Sequence, residues 1–88
     1  MRDLTPFERD MIYPAECHLK IIAKEKEIQG KIEATLRDYE VTAPVRTGNM
    51  SRTGRYQTFN VSVWIDDHQS MITLESALRR IEGVKTVL

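Results

Sequence analysis

The chain has 88 residues, 13 basic and 13 acidic side chains and a formal net charge of zero. That balance argues against holding nucleic acid or a membrane surface by bulk electrostatics. Apolar residues at 41% and charged residues at 30% mark a folded chain rather than a disordered one, and this length suits one domain that buries roughly 60–65% of its unfolded surface.

Thr5-Pro6-Phe7-Glu8 has the form of a helix start, with a threonine cap, proline at the first helical position and a glutamate closing a capping box. A short helix from Pro6 to Met11 is predicted, ended by Tyr13-Pro14 because the residue before proline is pushed to extended geometry. Residues 1–13 are therefore read as an N-terminal extension on a core of residues 14–88. From Ala15 the odd positions Cys17, Leu19, Ile21 and Ala23 are apolar, and the even positions are polar except at Ile22. This period of two predicts the first strand. Helix spacing follows at Ile28, Ile32, Leu36 and Tyr39, with Glu27–Lys31 and Glu33–Arg37 as i,i+4 pairs on the wet side. Gly30 inside this helix costs about 1 kcal/mol relative to alanine unless close packing uses the missing side chain.

Val41 to Val45 predicts a second strand, and Pro44 assigns it to a sheet edge because it lacks a backbone donor. Thr47-Gly48-Asn49 through Gly54 reads as the loop. Phe59, Val61, Val63 and Ile65 alternate with polar residues and predict the third strand. Asp66 is the expected cap of a second helix carrying Met71, Leu74, Leu78 and Ile81 on one stripe. Arg79 and Arg80 sit in its last turn and Gly83 lies just past it. Val84 to Leu88 makes the last strand. The order β-α-β-β-α-β predicts an α+β, ferredoxin-like sandwich. In it the first and third strands are central and both helices cover one face. The expected core is Leu19, Ile21, Ile32, Leu36, Val61, Val63, Leu74 and Leu78.

Several short motifs resemble one family. Tyr13-Pro14 with Leu19-Lys20-Ile21-Ile22, the turn Ser51 through Gly54-Arg55-Tyr56, and the ending Gly83-Val84-Lys85-Thr86-Val87-Leu88 are similar to the YbeD-like family of small bacterial domains, often labelled lipoate regulatory proteins. The resemblance covers residues 12–88. The chain departs from the pattern at Thr53, where the family has lysine, and at Ala23, where it has glycine. The resemblance implies a ferredoxin-like fold similar to the ACT-like regulatory domains of enzymes of amino-acid metabolism. It implies no enzyme activity, and it carries lipoate metabolism as a theme.

The chemistry-bearing residues are sparse. One cysteine excludes an intramolecular disulfide and suits a reducing compartment. No apolar run approaches the ~20 residues of a membrane helix, and acids in the first ten residues argue against a secretory signal, so a cytoplasmic location is expected. Adjacent Cys17 and His18 point to opposite faces of a strand and cannot act as a nucleophile pair. His68 beside Asp66, Asp67 and Ser70 fits a helix cap better than a catalytic triad. No zinc spacing or phosphate cradle occurs, and no cofactor is expected.

Two features remain. The open sheet face should carry Tyr56 and Trp64 on the third strand beside His18, Lys20 and Ile22 on the first, unless Phe7 and Met11 of the N-terminal helix cover it. Charge is also uneven, since residues 41–65 hold Arg46, Arg52 and Arg55 and no acid. These arginines surround the expected loop and suit an anionic partner. The reading is a non-enzymatic regulatory or interaction domain. It would bind a protein or a small anionic ligand, or a second copy of itself, through the sheet face or edge. The alternative is a single-stranded nucleic-acid module using Trp64, Tyr56 and the arginines. The spacing of Tyr56 and Phe59 counts against it, because it puts them on opposite faces, unlike an RNA-recognition sheet.

Overall fold

The structure is a computed structural model that describes residues 12–24 and 27–88. The predicted helix from Pro6 to Met11, and its cover by Phe7 and Met11, lie outside the described residues. The first strand, β1, runs Ala15–Ala23 and is followed by helix α1, Ile28–Thr35. A 3-10 turn, Leu36–Asp38, leads into β2, Glu40–Met50, and then β3, Gln57–Ile65. Helix α2, His68–Arg79, and β4, Val84–Val87, complete the order. The sheet runs β2-β3-β1-β4 with every pairing antiparallel. This is the ferredoxin-like arrangement, with β1 and β3 central.

The period-two pattern decides which face of the sheet is dry. Cys17, Leu19, Ile21 and Ala23 of β1 meet Phe59, Val61, Val63 and Ile65 of β3 on the inner face, and all eight are buried. Ile28 and Ile32 of α1, Leu36, and Met71, Leu74 and Leu78 of α2 pack onto that same cluster. Both helices therefore lie on one side. Every residue of the expected core is at most 4% exposed.

Two helix boundaries and one ion pair differ from expectation. The first helix stops at Thr35, whose hydroxyl donates to the Lys31 carbonyl at 2.9 Å. The chain tightens into the 3-10 turn, and Tyr39 becomes extended, half-buried against the core rather than helical. The cap of α2 is Asp67, not Asp66: its carboxylate accepts the Ser70 backbone N–H at 2.7 Å. Among the described residues, the i,i+4 ion pair falls on α2, between Arg79 and Glu75.

The largest correction concerns β2. Thr47, Gly48 and Asn49 are not loop but strand, since β2 continues to Met50 and pairs with the full length of β3. Arg46 is consequently a strand residue. The turn signals in this stretch serve register irregularities instead, which fall between Val41 and Ala43, Ala43 and Arg46, and Thr47 and Met50. Each such bulge inserts residues without losing the pairing on either side. The true turn is short and pinned. Ser51 N–H donates to the Tyr56 carbonyl at 2.8 Å, Tyr56 N–H to the Ser51 hydroxyl at 3.0 Å, and Gly54 takes φ +74°.

Gly83 has a different task. Its φ is +99°, and a Cβ there would stand 2.9 Å from Ile28 Cδ1. Gly30 meets nothing within 4 Å, so no packing uses its missing side chain. Gly30→Ala should therefore stabilise the fold by about 0.5–1 kcal/mol, whereas Gly83→Ala should destabilise it by more than about 1 kcal/mol, both read by denaturant unfolding. Leu78→Ala should cost about 2–5 kcal/mol; an unchanged midpoint would refute the inward face of α2. Hydrogen bonds from the Ser70 and Gln69 backbones hold the Asp67 carboxyl below its ordinary value. A depressed carboxylate stabilises the fold above the unfolded-state value and loses that contribution as pH falls through the folded one. The melting-temperature advantage of the wild type over Asp67→Asn should thus be present at neutral pH and vanish in acid.

Candidate functional site

Residues opposite one another in antiparallel strands share a face, so the register lays out the side of the sheet opposite the helices in rows. The first row is Glu16, Trp64 and Glu40. The second is His18, Ser62 and Ala43, and the third is Lys20, Asn60 and Arg46. The fourth is Thr86, Ile22 and Thr58. On β3 these rows are two residues apart. On β2 they are three apart, because the bulges insert a residue between Glu40 and Ala43 and another between Ala43 and Arg46. Without the bulges, simple alternation would turn Ala43 away from the face that Glu40 and Arg46 share.

The second and third rows form a shallow depression of about 350 Å³, lined by His18, Lys20, Asn60 and Ser62 and closed at the edge by Pro44 and Arg46. His18 Nδ1 hydrogen-bonds Ser62 Oγ at 2.6 Å, and its Nε2 lies 3.7 Å from Glu16 Oε1. The imidazole covers Ser62, which is buried although it sits on the open face. Gly48 leaves space for the Asn60 amide, since a Cβ there would come within 2.6 Å of Nδ2. The row therefore offers two permanent cations flanking an amide. Arginine and lysine differ usefully here, one a planar fork and the other a point charge.

A second hollow of about 400 Å³ continues from the fourth row, lined by Ile22, Met50, Tyr56, Thr58 and Lys85. Lys85 Nζ sits 4.4 Å from the Tyr56 ring centroid, a cation–π distance. Arg55 lines a neighbouring hollow with Lys24, Gly54 and Tyr56. Arg52 is exposed in the turn. At the opposite end Trp64, 39% exposed, lines a hollow with Asp38, Glu40 and Asp66.

The expected site residues thus divide. His18, Lys20 and Arg46 come together; Ile22 and Tyr56 form the adjoining apolar hollow; Trp64 stands apart among carboxylates, and Arg52 belongs to neither depression. Separating Trp64 from the arginines and surrounding it with acids suits nucleic acid poorly, because the stacking platform and the phosphate contacts would have to coincide. Cys17 is buried and His18 exposed, so the two do face opposite ways. His68 begins α2 with its ring 6.0 Å from that of Tyr13, while Asp67 spends its carboxylate on the cap. Sequence reasoning missed Asn60, Ser62, Glu16, Glu40, Met50 and Lys85. For Asn60 and Ser62 the signal was present in the polar alternation of β3; for Glu40 and Met50 it was not, since the bulges decide their place.

A family model described as a protein of unknown function, DUF493, matches residues 8–88. Among curated proteins no significant sequence match is found. Protein HP0495 from H. pylori, known from a solution structure, is similar at 16% identity over 99% of this chain and 98% of that chain, with a TM-score of 0.72. The ACT domain from GTP pyrophosphokinase of Chlorobium tepidum is similar in its crystal structure at 20% identity, 83% and 94% coverage and a TM-score of 0.60. Its solution structure gives 16%, 84% and 83%, and 0.63. These likenesses establish an ACT-like, ferredoxin-like fold. No described helix is long and apolar enough to cross a membrane.

Burial pushes the Cys17 thiol above its ordinary pKa, and the thiolate is the reactive form. Alkylation of the native protein at pH 8 should therefore be slow and become complete only in denaturant, as mass spectrometry would record. Rapid native labelling would show that β1 opens at this position.

Proposed function

The chain belongs to the DUF493 family of unknown function, and from that premise we propose that it is a non-enzymatic regulatory domain whose sheet face opposite the helices takes a small ligand with an anionic head and an apolar body. The observation that carries this reading is the row Lys20–Asn60–Arg46 bordering the hollow of Ile22, Met50 and Tyr56. The head would meet the two cations and the Asn60 amide through charge-assisted hydrogen bonds. The body would lie over Ile22 and Tyr56. The one hydroxyl that meets an imidazole among the described residues of this face, Ser62 against His18, is itself buried, which favours binding over turnover. The similarity to ACT-like regulatory domains supports the same direction. The lipoate theme of the YbeD resemblance fits the chemistry as well, because lipoate carries one carboxylate on an apolar chain. The work of such a domain would be done in the cytoplasm, in keeping with its single buried thiol.

Titration with inorganic phosphate and with octanoate, followed by amide chemical shifts, tests this reading. Both probes should shift Lys20, Asn60 and Arg46, and octanoate alone should also shift Ile22 and Tyr56. Lys20→Ala combined with Arg46→Ala should weaken either probe about tenfold or more, since a hydrogen bond to a charged group contributes ~1.5–3 kcal/mol. The same substitutions should change folding stability by less than about 1 kcal/mol, as exposed charges do. Shifts confined to Arg52 and Arg55 would transfer the site to the turn and refute the proposed face.

A further inference from the structure

The geometry points to a second copy of this chain as the macromolecular partner of the sheet face opposite the helices, paired through a two-fold axis that runs along the row His18–Ser62–Ala43. The rows on either side of that axis carry opposite charge. Glu16 and Glu40 flank Trp64 in one, and Lys20 and Arg46 flank Asn60 in the other. A two-fold axis lying between the two sheets, parallel to this row, keeps each strand over its own copy and reverses its direction. Glu16 then falls over Lys20 of the second copy, and Glu40 over Arg46 of the second copy. Each contact occurs twice, as an isologous interface requires. On β1 this complementarity is written in five residues: Glu16 and Lys20 flank His18 with opposite signs and match each other when the strand is reversed.

The dimensions permit it. Rows two residues apart on a strand lie about 6.6 Å apart, and packed sheets stand about 10 Å apart, a gap that glutamate and lysine side chains meeting tip to tip can bridge. The overlap centred on His18 spans β2, β3 and β1 over three rows, roughly 14 by 20 Å per copy, so the pair is small and reversible, below the size of stable complexes, and charge complementarity rather than area specifies it. Trp64 would pass from partial exposure to burial, and a tryptophan in that position is the residue type that anchors interfaces. The alternative sheet-edge pairing has less to offer, since the β4 edge is only four residues long. β2 carries Pro44 and three register irregularities, which are devices that discourage edge association.

One consequence rests on the ligand reading. Carboxylates of the second copy and an anionic ligand compete for Lys20 and Arg46, so ligand would drive the pair apart, and the oligomeric state would report occupancy.

Sedimentation velocity on the full chain from 5 to 200 µM tests the pairing. The wild type should dimerise, and raising salt from 50 to 500 mM should weaken the dimer about tenfold, as screened ion pairs do. The variant Lys20→Glu/Arg46→Glu and the variant Glu16→Lys/Glu40→Lys should each be monomeric, because both of their rows carry one sign. Mixed one to one, the two variants should form a heterodimer, with Trp64 emission shifting to the blue. A wild type that stays monomeric at 200 µM overturns the proposal, as does a dimer that survives both charge reversals, or a mixture that fails to associate. The Glu16→Lys/Glu40→Lys variant separates the two readings: it retains Lys20 and Arg46, so it should still bind phosphate if the ligand site stands, whether or not the wild type dimerises.

Discussion

The antiparallel pairing of β1 with β3 is the constraint on which everything else depends. Nine consecutive residues, from Ala15 opposite Ile65 to Ala23 opposite Gln57, are held in one register without a break. A slip of one residue would exchange the faces of a whole strand. It would drive His18 and Lys20 under the helices and expose Leu19 and Ile21. The cost of burying an unpaired lysine and of opening the core makes any other register inaccessible. The helices contribute by choosing the dry side, since Ile28, Ile32, Leu74 and Leu78 all pack against the same inward row.

The outer strand follows a different logic. β2 buries a single residue, Val45, and otherwise clings to β3 through backbone pairing. Freed from the demand to bury alternate side chains, it tolerates a proline and three irregularities. Those irregularities carry the functional consequence. They bring Ala43 onto the face that Glu40 and Arg46 share and set Arg46, rather than Pro44, opposite Asn60, so that an acid and a base stand on the edge beside Trp64 and Asn60. The Gln57 side chain donates to the Gly48 carbonyl at 2.8 Å, which helps satisfy the backbone where the ladder is disturbed.

The face opposite the helices is what this architecture leaves over. An antiparallel sheet can keep one side in water, and this one does so with a graded surface rather than a uniformly polar one. Acids and an indole occupy one end, cations and an amide lie beyond the middle, and an apolar hollow adjoins them. The zero net charge of the chain hides this separation completely, because the opposing rows cancel.

Much of this was legible in the residue pattern, for a local reason. Periods of two and of 3.6 are set by backbone geometry, so β1, β3, α2 and the inward positions of the core could be read from spacing alone. Gly83 likewise announced the end of a helix, though only the structure showed Ile28 filling the space beside it. The cap at Asp67 lay one residue from its expected place and α1 ended four residues before Tyr39, because helix ends are settled by individual hydrogen bonds that spacing does not resolve. The alternation of Lys20 and Asn60 placed them on the wet side. What the sequence could not determine was their company. Arg46 read as loop because Thr47, Gly48 and Asn49 carry turn chemistry, and nothing local distinguishes a turn from a bulge. Only pairing with β3, across the turn from Ser51 to Tyr56, converted those residues into strand. The sequence by itself therefore determined the fold and its dry side, through short-range periodicity. The tertiary structure alone decided which charges share a row, because register across strands is a long-range property.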